Sequence, residues 1–284
     1  MNTLIRIFPI AGLSLILACS CKKSSAPSGP ASPPGNTTAV LYGDSIYYLR
    51  PQAGDLIVSP LHPSAGQYIG FPDGIQIDGN TGEINVSKSE TGLRYRVSFI
   101  PKGSSDTVSQ IVIISGVNFL DGFYNLAQGD SIANPIYNGW TSNAIPGLNN
   151  GSAFDEGSNC NRQGCTIDLG TGRINLAQTV RNGVFGTIPS SNSRQEFLMS
   201  YRINDKSLEA LNSIDIKIYY FETMNDVSQE VYDIISSRQG TILGSSSDLI
   251  RHLTQRTANG IAVTGLGAAR PAKPRPPCIF IIGR

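Results

Sequence analysis

The sequence predicts a mainly β fold: two β-rich units, with one or two helices late in the second. Three observations carry this. Thirty glycines and 17 prolines in 284 residues punctuate the chain with turns. Its apolar runs are short, and the clearest of them alternates with period two. A 16-residue segment starting at Gly74, GIQIDGNTGEINVSKS, returns 90 residues later at Gly164 as GCTIDLGTGRINLAQT. The shared core is Ile77, Asp78, Thr81, Gly82, Ile84 and Asn85, matched by Ile167, Asp168, Thr171, Gly172, Ile174 and Asn175. Each copy reads as a hairpin in which the Asp bonds turn N–H groups and the Gly supplies positive φ.

Residues 1–18 read as a secretion signal, with Arg6 as the charge and Phe8 to Ala18 as the apolar segment. Ile16-Leu17-Ala18-Cys19 resembles the lipobox of bacterial lipoproteins, which implies cleavage before Cys19 and lipid attachment to it. The alternative is ordinary signal cleavage nearby. Residues 19–39 carry no apolar side chain larger than Ala beyond the first few positions and are Pro- and Ser-rich. They read as a disordered tether, reaching on the order of 50 Å if extended. Ser20 is not the Asp that retains enterobacterial lipoproteins at the inner membrane, so the resemblance implies the outer membrane. The facing, periplasm or cell surface, is left open.

Residues 40–117 form the first unit. Ser45–Arg50, Leu93–Ile100 and Ser109–Val117 read as strands. In the second, Leu93, Tyr95, Val97 and Phe99 alternate with Arg94, Arg96 and Ser98. The run Pro72 to Ile84, P-x-G-I-x-I-D-x-x-T-G-x-I, is followed by Thr91-Gly92 and Tyr95-Arg96-Val97. It resembles the Ig-like and cadherin-like repeats of bacterial surface proteins, which implies a seven-strand β-sandwich here. The whole arrangement resembles uncharacterised Bacteroidota lipoproteins, a group that brings no activity with it.

Residues 118–260 form the second unit, in which the resemblance extends only to the hairpin. Ser213–Glu222 alternates Ile214, Ile216, Ile218 and Tyr220 and reads as a central strand. A helix is expected near 226–239, with Asp226 as its cap, and another near 246–258. Residues 261–284 read as a loose, basic, Pro-rich tail. Its run Cys278 to Ile282 is too short to cross a membrane, and is either an added strand or a sticky end.

The chemistry offers little to an enzyme. Twenty-two basic and 21 acidic side chains leave the chain nearly neutral, against a nucleic-acid partner. His62 and His252 lack a nucleophile motif beside them. Cys160 and Cys165, in a C-x4-C loop, are expected to pair as a disulfide; two free thiols or a bond to Cys278 are the alternatives. No metal or cofactor is expected. Asp155 and Glu156 put carboxylates in a Gly/Asn loop, and Tyr137 and Trp140 put aromatics in another, so these four are the candidate binding residues. The expectation is a non-catalytic, lipid-anchored envelope protein whose β-rich body binds protein or glycan. The alternatives are an envelope hydrolase acting on carbohydrate and a purely structural spacer.

Overall fold

The computed structural model describes residues 40–238 and 275–284. In chain order its first elements are β1 (Ile46–Tyr47), β2 (Ile57–Val58), β3 (Gly66–Phe71), β4 (Gln76–Ile77), β5 (Ile84–Asn85), β6 (Leu93–Pro101) and β7 (Val108–Ile114). They make a four-stranded sheet, β1-β7-β6-β3, and a three-stranded sheet, β2-β5-β4. The two sheets enclose one apolar cluster, with Tyr68, Tyr95, Val97, Val112 and Ile114 from the first and Ile84 from the second. This is the expected seven-strand sandwich. The alternation in β6 holds through Val97: Leu93, Tyr95 and Val97 are fully buried, while Arg94 and Arg96 are not; Ser98 departs from it, buried with its hydroxyl bonded to that of Ser109.

The chain continues through β8 (Val117–Phe119), β9 (Gly122–Asn125), β10 (Ile132–Ala133), β11 (Pro135–Tyr137), β12 (Ala153–Phe154), α1 (Asn159–Arg162), β13 (Ile174–Asn175), α2 (Leu176–Arg181), β14 (Ser193–Arg202), β15 (Asn212–Phe221), α3 (Gln229–Arg238) and β16 (Cys278–Ile282). A five-stranded sheet runs β12-β14-β15-β16-β9. β14 and β15 are antiparallel, and β15, β16 and β9 run parallel to one another.

The sequence echo is a structural repeat that extends well beyond the hairpin. Asp78 Oδ1 accepts the N–H groups of Asn80 and Thr81, and Asp168 Oδ1 accepts those of Gly170 and Thr171. Asn85 and Asn175 each cap the helical turn that follows. Ser89 Oγ and Thr179 Oγ1 donate to the carbonyls of Asn85 and Asn175, and accept from the N–H groups of Gln76 and Thr166. Every one of these pairs keeps the 90-residue offset. The strands before the hairpins correspond as well: Val58 pairs with Ile84, and Ala133 with Ile174. Tyr68 N–H donates to Gly79 and Phe154 N–H to Leu169. The same two rings lie on Gly82 (φ +76°) and Gly172 (φ +72°), where an added Cβ would come within 2.7 Å of ring carbons. Glycine is required at both positions by conformation and by space. The hairpin β14–β15 then stands where β6–β7 stands in the first copy, and β9 where β1 stands.

One face of the five-stranded sheet packs Phe197, Met199, Ile216, Ile218, Ile279 and Ile281 into the largest apolar cluster. The other puts Phe221, Cys278, Phe280 and Ile282 under Val231, Ile234 and Ile235 of α3. Every side chain of β16 is therefore buried, whichever way it points. Of the two readings left open for Cys278 to Ile282, the structure shows the added strand, and the loose tail is corrected only for the residues flanking it, 275–277 and 283–284: a run apolar on both sides is stable only inside a sheet covered on both faces. α3 falls within the expected helix, but Asp226 does not cap it. Asp226 accepts the Thr223 N–H and hydroxyl and closes a separate 3-10 turn, Met224–Asp226. The helix expected near 246–258 lies outside the described residues.

The described residues belong to one compact unit, and a polar seam ties its two repeats. Thr91 Oγ1 and Tyr201 OH share a hydrogen bond of 2.7 Å, and Asn118 Nδ2 donates to the Thr91 carbonyl. Asp205 Oδ2 accepts from Tyr137 OH at 2.6 Å and from Ser115 Oγ at 3.2 Å. Buried polar groups cost stability unless partnered, and these are partnered across the seam.

Candidate functional site

An open surface depression of about 410 Å³ lies on the first repeat. The hairpin β4–β5 supplies Asn80, Thr81 and Glu83; the segment between β2 and β3 supplies Ser59, Pro60, Pro63, Ser64 and Ala65. The positive-φ turn at Gly82 brings the Pro60 ring and the hairpin together. Asp78 fixes the turn: its carboxyl is held below the usual carboxylate range by the Thr81 and Asn80 N–H groups. Ser59 Oγ donates to Glu83 Oε1 at 3.3 Å. Hydroxyls, an amide and a carboxylate thus line an open floor with flat proline faces. His62 is exposed in the same segment.

The structure separates the four candidate binding residues. Asp155 is buried, at 1% exposure. Its carboxylate accepts the Cys160 N–H, the Asn161 N–H and Asn161 Nδ2, all between 2.8 and 2.9 Å, and so organises α1. Glu156 lies at the surface and pairs with Arg202. Tyr137 is buried and spends its hydroxyl on Asp205. Trp140 is half-buried, with the Arg94 guanidinium 5.2 Å from its ring centre. Tyr137 and Asp155 are therefore turned inward, and Trp140 and Glu156 are within reach of solvent.

Cys160 and Cys165 are free, buried thiols, which corrects the expected disulfide. The Cys165 N–H closes the turn onto the Cys160 carbonyl, while Cys160 Sγ contacts the Leu198 carbonyl on β14 at 3.4 Å. Cys165 is hydrogen-bonded to the Thr179 side chain, and burial pushes its thiol up to about 12. Burial also pushes the Cys160 thiol up. Both are protonated at neutral pH and poor nucleophiles. Cys19 lies outside the described residues.

An ionic cluster that the sequence did not mark lies at the foot of β16. Asp121 Oδ1 accepts from Arg238 Nη1 at 2.8 Å and from the Cys278 N–H at 2.8 Å; Asp121 Oδ2 faces Arg275 Nη2 at 3.3 Å. The Asp121 and Arg275 side chains are only 6% and 5% exposed. Glu90 lies beside them, pushed up to about 7 by burial and by the Asp215 charge, against the pull of Arg275 and Arg238. The signal in the sequence was faint: one Arg before Pro-Pro and a buried run.

Among the described residues, no group of three or more His, Cys, Asp or Glu is placed to hold a metal ion, and no helix is long and apolar enough to cross a membrane. No protein-family model matches the chain, and no curated protein matches it. Among solved structures it is similar to Drosophila N-cadherin EC1-4, at 10% identity and a TM-score of 0.19. The match covers 61% of this chain and 46% of that one, so it spans less than half of the cadherin chain.

Proposed function

We propose that this is a non-catalytic, lipid-anchored protein of the cell envelope whose β-rich body binds glycan or protein through the depression on its first repeat. The observation that carries the reading is the lining of that depression. Ser59, Ser64, Thr81, Asn80 and Glu83 supply donors and acceptors suited to a hydroxyl-rich ligand, and Pro60 and Pro63 supply flat apolar contact. A glycan meets both demands. The lipobox-like Ile16-Leu17-Ala18-Cys19 supports the anchor, and the tether after it supports presentation away from the membrane.

The reading is tested by screening the purified body on an array of envelope and matrix glycans. Asn80→Ala/Glu83→Ala is expected to weaken the leading hit about tenfold, or about 1.4 kcal/mol, with the melting temperature unchanged. An equal affinity in the double variant removes the depression as the site. For the anchor, Cys19→Ala is expected to move the protein from the membrane fraction to the soluble one. Unchanged membrane fractionation would sink the lipid reading.

A further inference from the structure

The outer face of the four-stranded sheet carries two cations that no described acid balances. Strand alternation turns Arg94 and Arg96 of β6 away from the core, with Ile113 and Ile111 of β7 opposite them and Ile46 of β1 beside Ile113. Arg94 is held in place. Its stem packs on Gly139, where an added Cβ would come within 2.7 Å of Arg94 Cγ, and its guanidinium lies over the Trp140 ring. Among the described residues neither guanidinium has a carboxylate partner, and the buried Nε of each has no acceptor. Burial acts on both and holds them below the usual arginine range. Taking a cation partly out of water without an anion costs stability.

The second repeat shows the same face satisfied. β14–β15 stands where β6–β7 stands, and its outward cations are answered: Arg194 and Lys217 by Glu196, Arg202 by Glu156. An amphipathic helix covers that sheet, α3 packing Val231, Ile234 and Ile235 against Phe221, Phe280 and Ile282. The Glu230 charge of α3 acts on Arg194, whose guanidinium lies over the Tyr219 ring. Arg94 over Trp140 has the same form, without the helix and without the acid. The described helices are placed elsewhere: α1 and α2 pack on β14 and β10, and α3 on the second sheet. We infer that the outer face of the first sheet docks an acidic amphipathic helix of a partner protein, one carboxylate to each arginine. Arg94 and Arg96 are two strand positions apart, about 7 Å. Carboxylates four residues apart on a helix stand on one face and rise about 6 Å, and each can meet a guanidinium through two hydrogen bonds. Arginine and tryptophan are the residue types enriched where proteins grip partners, and the half-buried Ile46, Ile69 and Ile111 give the helix apolar ground. The rest of this chain does not supply the acids. Residues 1–39 contain none, and residues 239–274 contain one, Asp248, against Arg251, Arg256, Arg270 and Lys273.

The test uses the full chain. A display library of helical peptides, randomised along one face, is panned on it and counter-panned on Arg94→Gln/Arg96→Gln. Selected peptides are expected to carry Asp or Glu pairs four residues apart, beside Leu, Ile or Val, at least tenfold above their frequency in the library. Replacing the acid pair of the leading peptide by amides is expected to weaken its binding to the wild-type chain at least tenfold, a readout that needs no protein variant to fold. Replacing it by lysines is expected to abolish binding to wild type and restore it to Arg94→Glu/Arg96→Glu. Asn80→Ala/Glu83→Ala, in the depression, is expected to bind the leading peptide as wild type does. Selection without acid pairs overturns the inference, as does a leading peptide indifferent to their loss or weakened by the depression variant. An oligogalacturonate held by Arg94 and Arg96 more tightly than every selected peptide would make the face a site for acidic glycan. Dimers of the full chain that Arg94→Glu/Arg96→Glu dissolves would make it a self-contact. Either result overturns the inference as well.

Discussion

Asp121→Ala is expected to destabilise the protein by about 3–5 kcal/mol, the usual cost of removing one partner from a buried ion pair. One carboxylate here serves three donors: Arg238, Arg275 and the Cys278 N–H. Removing it leaves two guanidinium groups facing each other in a buried site and strips the first residue of β16 of its anchor. The loss would appear as a lower denaturation midpoint in urea. Adding Arg275→Met to Asp121→Ala should recover part of it, because it removes one of the two like charges left beside each other. A single variant with unchanged stability would show that the cluster does not hold the strand.

The second large effect concerns pH and rests on Glu90. Its carboxyl is pushed up to about 7 from an ordinary 4.5, first by burial and then by the Asp215 charge. The folded protein therefore holds a proton that the unfolded chain releases. The contribution of Glu90 to stability is fully present below about pH 4.5 and is lost as the pH rises through about 7. The shift corresponds to about 3 kcal/mol between those limits. The groups facing it are Asp215 from β15, Arg238 from α3, Arg275 before β16, and Tyr95 from β6, whose hydroxyl donates to the Glu90 carbonyl. Glu90→Gln, which keeps the shape and removes the titration, is expected to flatten the fall in stability between pH 5 and 7. Denaturation curves taken across that range would check it, and a variant as steep as wild type would remove Glu90 as the cause.

Local pattern made much of the first sandwich legible. The alternation in β6, the Asp-x-x-Thr-Gly turn and the Asn cap are short-range features with short-range causes. The echo located the second hairpin for the same reason. It did not disclose the second sandwich, because residues around the core diverged: a six-residue helix, Leu176–Arg181, replaces a three-residue turn, and the strand pair that follows is longer. What persists there is a hydroxyl at Ser89 and Thr179, a signal that means nothing until its hydrogen bonds are seen. β16 was harder still. An apolar run of five residues has no periodicity to reveal its partners, and its neighbour β9 lies 157 residues away, Ile279 pairing with Gly122. The candidate binding loops were chosen by residue type, and type does not say whether a carboxylate such as that of Asp155 looks outward or bonds its own backbone. The depression was invisible because its walls come from two segments brought together by one glycine.

The place of β16 also sets a clock on biosynthesis. Its partner strands β9 and β15 are complete well before it is made, since 56 residues separate Phe221 from Cys278. Until that segment arrives, β9 and β15 have no strand between them, and both apolar layers of the second repeat are missing a wall. A chain emerging from a ribosome therefore completes its first repeat early and its second late. Premature stops anywhere before Cys278 leave an open sheet edge of the kind that proteases and chaperones read as unfinished. Placing the closing strand so late in the sequence makes the folded state a report that the message was translated through to it.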